Sequence, residues 1–120
     1  MFDHIGIGVK DLEKSREFYV KALAPLGLGV TLDFGAALGI GKPDKPFFWI
    51  ASGHANAPVH LAFRADTHAQ VDAFYEAAIA AGAKDNGKPG IRPQYHPDYY
   101  GAFVIDLNGN NLEAVCHKPL

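Results

Sequence analysis

Cysteine, charge of one sign and long apolar runs are all scarce in this 120-residue chain. Cys116 is the one cysteine, beside one tryptophan and one methionine. A single cysteine excludes an intramolecular disulfide and fits a reducing compartment. Eleven basic against thirteen acidic residues leave a formal charge of −2. That balance gives no electrostatic case for nucleic acid or for an anionic membrane surface. No apolar run approaches the roughly 20 residues of a membrane span. The chain opens directly on a strand pattern, so no signal peptide is expected. A soluble, cytoplasmic protein is the reading. What remains is ordinary for a globular chain, 48% hydrophobic and 20% charged. A chain of this length buries about two-thirds of its unfolded surface, enough for a real core.

Within that composition there is one internal repeat. His4, Phe18, Tyr19 and Ala22 recur as His60, Phe74, Tyr75 and Ala78, every pair 56 residues apart. Repeats dictate architecture before any other pattern does. Residues 2–10 alternate, with Ile5, Ile7 and Val9 on one face and His4, Gly6 and Gly8 on the other. Asp11 is placed to cap a helix over about 12–25, whose apolar stripe is Leu12, Ser15, Tyr19, Ala22 and Leu26, widened by Phe18 and Leu23. Pro25 and Gly27 end it. Residues 28–53 read as three short strands broken at Gly35 and at 41–46.

The second half repeats the order. Gly53 to Pro58 connects to a strand over 59–65, and Thr67 with Gln70 forms a capping-box signature for a helix over 67–82. Asn86-Gly87 is a turn signal, and strands follow at 99–106 and 111–117 around a turn at Asn108-Gly109. The expected fold class is α+β: two βαβββ modules, about 1–53 and 58–120, forming curved mixed sheets around a central cleft with helices on the outer face. Together they make a single domain over 1–120.

Parity within these strands singles out a candidate site. His4 shares its strand face with Gly6 and Gly8, and His60 with Ala62 and Arg64. Small residues beside each histidine leave volume over the sheet. On the last strand Asn111, Glu113, Val115 and His117 share one face. If Glu113 faces the same concavity as the histidines, the chain has a two-histidine, one-carboxylate set. Such a set suits a divalent transition metal and leaves positions open for substrate or water. The blander alternative is that each histidine is a hydrogen-bonded rim residue and Glu113 a solvated edge charge.

The chain resembles the vicinal oxygen chelate superfamily, which includes glyoxalase I, the extradiol dioxygenases, and the fosfomycin- and bleomycin-resistance proteins. The matching pieces are Asp3-His4-Ile5-Gly6-Ile7, Ser15-Arg16-Glu17-Phe18-Tyr19, Val59-His60-Leu61-Ala62-Phe63 and the closing stretch Asp106 to Glu113. The resemblance implies paired modules curling around a metal, Zn, Ni, Mn or Fe(II), with His4, His60 and Glu113 on three of the ligand positions. The fourth lies on the last strand of the first module. Aligning Phe48–His54 with Asn111–His117 puts Ile50 there, with Trp49 as the neighbouring choice if the register slips. Glyoxalase I typically carries a carboxylate at that place, so the departure weakens a strict glyoxalase I assignment.

Around the expected metal, Arg64, Arg92, Tyr95 and Tyr99 are candidates for substrate contact, and Trp49 for cavity lining. Glu113, Tyr100 and His96 are the candidates for moving a proton. Arg64 could pair bidentately with an anionic substrate; an edge-strand ion pair is the alternative. The dense run from Arg92 to Tyr100 reads as a substrate-facing wall, or else as a loop packing at a dimer seam. The leading function is a metal-dependent, glyoxalase-like lyase or isomerase acting on a small molecule that chelates the metal through adjacent oxygens. One alternative is an Fe(II) extradiol-type dioxygenase. The other is a protein that binds an antibiotic or similar small molecule without turnover. A homodimer is expected, with neither nucleic acid nor membrane as partner.

Overall fold

The computed structural model describes residues 1–119. The first half runs β1 (Ile5–Val9), α1 (Leu12–Leu23), a single 3-10 turn (Ala24–Leu26), β2 (Gly29–Asp33), β3 (Ala37–Lys42) and β4 (Lys45–Ser52). The second runs β5 (His60–Arg64), α2 (His68–Ala80), β6 (Lys84–Ile91), β7 (Tyr100–Ile105) and β8 (Asn111–Cys116). Two four-stranded sheets result, ordered β1-β4-β3-β2 and β5-β8-β7-β6. In each, the first strand is parallel to the last, and the remaining neighbours are antiparallel. The βαβββ order therefore occurs twice in an α+β chain, and the sheets curve without closing. β1 and β5 lie at sheet edges, each paired on one side only.

Local chemistry explains the helix limits. The Asp11 carboxylate accepts the Lys14 N–H at 3.1 Å, satisfying one donor that α1 cannot pair internally. Pro25 converts the helix end into the 3-10 turn, and Gly27 closes it at φ 78, donating to the Ala24 carbonyl at 2.9 Å. The regular helix thus stops two residues short of the expected end. Thr67 and Gln70 form the capping box in full, each side chain accepting the other residue's N–H. Buried Ser15, Phe18, Tyr19, Ala22 and Leu23 give α1 its inner face, and Val71, Phe74 and Ala78 give α2 its own.

The two halves share one core. The rings of Phe48 and Phe63 meet edge-on at 5.5 Å across the seam. The turn after β7 also reaches into the first half. Asp106 accepts the N–H groups of Asn108 and Asn110 at 2.9 and 2.8 Å, the Asn110 side-chain amide at 2.9 Å, and the hydroxyl of Tyr19 on α1. That carboxylate is 6% exposed, and four donors replace its lost hydration.

Two expectations are corrected by the sheets. Asn86-Gly87 is not a hairpin turn, because β6 runs straight through it; the register shifts at Gly87, which makes a bulge. The place in the first half that corresponds to Glu113 is held by Trp49. Glu113 pairs with Ala62, and Gly6, the repeat partner of Ala62, pairs with Trp49. Ile50 is fully buried on the opposite face of β4, against the helix.

Candidate metal and substrate site

Glu113 sits near the middle of β8, and its side chain is 2% exposed. Its two oxygens have different partners. Oε1 lies 2.9 Å from Nε2 of His60, on the neighbouring strand β5. Oε2 accepts the hydroxyl of Tyr99. The other ring nitrogen of His60, Nδ1, is 3.1 Å from the Asn111 carbonyl. A carbonyl only accepts, so Nδ1 carries the hydrogen, and in the neutral ring Nε2 is left as a lone pair. That lone pair faces a carboxylate oxygen. Two acceptors at this distance need a positive charge between or upon them, either a proton or a metal cation.

His4 is prepared in the same way. Its Nδ1 is 2.8 Å from the Asp3 carboxylate, which Lys45 Nζ also holds at 2.8 Å. Those two contacts, the Lys45 hydrogen bond foremost, keep the Asp3 carboxyl below its ordinary range. A carboxylate behind one nitrogen of a ligating imidazole fixes its tautomer and raises its basicity. Side-chain exposure is 59% for His4 and 50% for His60. Within one chain, however, His4 does not join the other two. Among the described residues no group of three or more histidine, cysteine, aspartate or glutamate side chains comes together to hold a metal. Two of the three expected ligands meet, and the third, just before β1, lines one cleft with His60 without joining them.

The other candidates fall into two groups. Tyr99 bears directly on Glu113, and its phenol is raised far above the ordinary tyrosine value, by burial first and then by that carboxylate. Its ring meets Tyr95 and His117 edge-on, both at 5.1 Å, while His96 lies beyond, 5.9 Å from His117. Nδ1 of His96 accepts the Asp98 N–H at 3.0 Å. Phe103 on β7 stacks against His60 at 6.1 Å, and the Arg92 guanidinium lies over the Phe103 ring at 5.4 Å. Arg64 is exposed, on the strand face that carries His60.

Tyr100 lies elsewhere. It occupies the opposite face of β7, stacked on His68 of α2 at 4.0 Å, and its hydroxyl donates to Asp72 at 2.6 Å. That hydrogen bond and burial push its phenol up to about 12. The strand alternation that turns Phe103 toward Glu113 turns Tyr100 toward the helix. Trp49 faces the open side of the first sheet, with Phe34 stacked on it at 5.8 Å and 15°. Gly39 lies beneath the indole, where an added Cβ would come within 2.9 Å of the ring. The roles of Asp3, Lys45 and the Asn111 carbonyl carried no signal in sequence, because each acts by fixing a histidine rather than by reaching a ligand.

The model for the Glyoxalase/Bleomycin resistance protein/Dioxygenase superfamily matches residues 1–114. The chain belongs to that superfamily. Among solved structures it is similar to a glyoxalase/bleomycin resistance protein from Albidiferax ferrireducens, with 32% identity and a TM-score of 0.85, over 97% of this chain and 98% of the other. A glyoxalase/bleomycin resistance protein/dioxygenase family enzyme from Burkholderia phytofirmans shares the fold at 19% identity and a TM-score of 0.75, over 97% and 98% of the two chains. No curated protein matches this chain. No helix among the described residues is long and apolar enough to cross a membrane.

Proposed function

We propose that this chain is one protomer of a homodimeric, metal-dependent lyase or isomerase whose small substrate presents two adjacent oxygens. The observation that carries this reading is the contact between Nε2 of His60 and Oε1 of Glu113. A neutral imidazole tied at Nδ1 and a buried carboxylate, aimed at one another, form a donor set for a divalent cation. His60 and Glu113 would hold the metal together with His4 of a second copy. When bound, such a metal polarises substrate oxygens as a Lewis acid.

The second copy is implied by what one copy leaves open. His4 keeps Nε2 for a ligand and lines one cleft with His60, but among the described residues it joins no group of three ligating side chains. The outer edges of β1 and β5 pair with no other strand, and Ile5 on β1 is 40% exposed. An unpaired, partly apolar edge invites a partner strand. Two-fold symmetry would then bring each His4 to the other chain's His60 and Glu113.

The chain's own residues divide the remaining work. Tyr99 fixes Oε2 of Glu113, which orients Oε1 toward the cation. With its proton held well into the alkaline range, Tyr99 is a donor at neutral pH and not a base. Neutral His96, accepting at Nδ1, carries its hydrogen on Nε2 and is also a donor. Glu113 is therefore the group assigned to move a substrate proton, at Oε2, with Tyr99 holding that oxygen in place.

The test is complementation. Protein purified without chelator is expected to hold about one metal per chain, whereas His4→Ala and His60→Ala each hold almost none. Unfolded together and refolded as an equal mixture, the two variants regain about one quarter of the native metal content, because half the dimers are mixed and each mixed dimer has one intact site. Full metal content in His4→Ala alone, or none regained on mixing, overturns the shared site. Oxygen uptake by the Fe(II)-loaded protein with catechols would assign the site to ring cleavage instead.

A further inference from the structure

Arg92 is held in a way that a solvated surface arginine is not. Its Nη1 donates to the Gly90 carbonyl and its Nη2 to the Lys88 carbonyl, both at 2.7 Å. The guanidinium fits there because two neighbours have no side chain. A Cβ on Gly90 would lie 3.2 Å from Nη1, and one on Gly87 would lie 3.1 Å from Nη2. The plane rests over Phe103, whose ring also stacks against His60. Among the described residues neither Arg92 nor Arg64 is ion-paired with a carboxylate. Glu113, the buried acid nearby, is engaged by His60 and Tyr99.

A guanidinium fixed through two of its five N–H groups keeps three donors for a ligand. It has also lost its rotamer freedom before any ligand arrives, so less entropy is lost on binding. Resting on the proposed metal site, we propose that the substrate is an oxyanion. Its chelating oxygens lie at His60 and Glu113, and its carboxylate or phosphonate lies at Arg92, with the Phe103 ring against both subsites. The Phe103 centroid is 6.1 Å from that of His60 and 5.4 Å from the guanidinium carbon, so one ring joins the two subsites.

The probes are 3,4-dihydroxybenzoate and its methyl ester, which share a chelating pair and differ in charge. Calorimetric titration of the zinc-loaded native protein is expected to favour the acid by at least about tenfold, the lower end for hydrogen bonds to a charged group. Arg92→Gln brings the two ligands to within about twofold and leaves ester affinity unchanged. Gly90→Ala keeps the charge, shifts the guanidinium by a few tenths of an ångström against its two carbonyls and lowers the preference without abolishing it, which guards against a misfolded Arg92 variant. Equal affinity of the native protein for acid and ester, or a preference that survives Arg92→Gln, overturns the proposal.

Metal content of the same samples separates this failure from failure of the metal site. If no metal is held, benzoate and phenylphosphonate titrated against the metal-free protein must still show binding that Arg92→Gln removes, or the anion seat falls as well. Their relative affinities tell which oxyanion it prefers.

Discussion

Replacing Glu113 by glutamine separates the two ways in which the His60 contact can be satisfied. At a pH where His60 is neutral, the native chain without metal sets a lone pair on Nε2 against Oε1 at 2.9 Å, and the Glu113 side chain is 2% exposed, so water relieves little of the repulsion. A glutamine amide would turn its NH2 toward Nε2 and its oxygen toward the Tyr99 hydroxyl, making two good hydrogen bonds. One buried hydrogen bond is worth about 1 kcal/mol net. The unfolding entropy of a chain this size is roughly 0.25 kcal/mol/K. Metal-free E113Q should therefore melt about 4 °C higher than the metal-free native protein. Metal reverses the order. At a hundredfold excess over Kd a cation stabilises the native protein by about 2.7 kcal/mol, which is roughly 11 °C on the same entropy. E113Q has lost its anionic ligand and should move by less than about 2 °C under the same excess. The assay is a thermal melt with and without zinc at fixed protomer concentration, since association also shifts Tm. If metal-free E113Q melts several degrees below native, and zinc raises both equally, the pair is an ordinary buried ion pair and the metal reading loses its main support.

Two further outcomes follow from the seam and from the tyrosines. Tyr19→Phe removes the α1 hydroxyl that donates to buried Asp106 and should cost about 1.5–3 kcal/mol, a fall in Tm of about 6–12 °C; a change below 1 °C would mean that Asp106 does not tie the halves together. Tyr100, raised to about 12 by its hydrogen bond to Asp72 and by burial, keeps its proton in the folded chain after an unfolded tyrosine has ionised near pH 10. Its contribution is present in full below pH 10 and is lost as pH rises toward 12. Melts between pH 9 and 11.5 should show Tm falling more steeply for the native protein than for Tyr100→Phe, and parallel curves would refute the assignment.

Much of the fold was legible because the repeat and the periodicities agree. The 56-residue offset, the helix stripes and the capping box at Thr67 each predicted an element that is present. The failures have specific physical causes. In Phe47-Phe48-Trp49-Ile50 every residue is apolar, so alternation cannot tell which two face the helix; only the pairing of Gly6 with Trp49 decides it. Asn86-Gly87 has hairpin chemistry, but continued pairing of β6 with β7 converts it to a bulge. Tyr100 sits one residue from Tyr99, and a single step along a strand exchanges Glu113 for Asp72 as the partner. Arg92 was visible as a candidate, but its seat was not, because that seat depends on Gly87 and Gly90 lying under the guanidinium.

The repeat also bears on the proposed dimer. The two halves have the same backbone order, yet their open sheet faces differ in chemistry. The second presents His60, Glu113, Tyr99 and a fixed Arg92, which are polar and charged groups. The first presents an Asp3-held His4 and, where Glu113 would stand, the Trp49 indole under Phe34, with Phe34 70% exposed. An aromatic wall with one proposed ligand and a charged wall with two complement each other and do not substitute for each other. Pairing two first halves would yield two histidines and no counterpart of Glu113, since each Asp3 is taken up by His4 and Lys45, and pairing two second halves would crowd two buried acids together. A first half against a second half would give the proposed ligand set. His4 and His60 line one cleft of the chain, but His4 joins no group of three ligating side chains among the described residues, and in the proposed dimer a second copy would supply it, two-fold symmetry then making two sites at once.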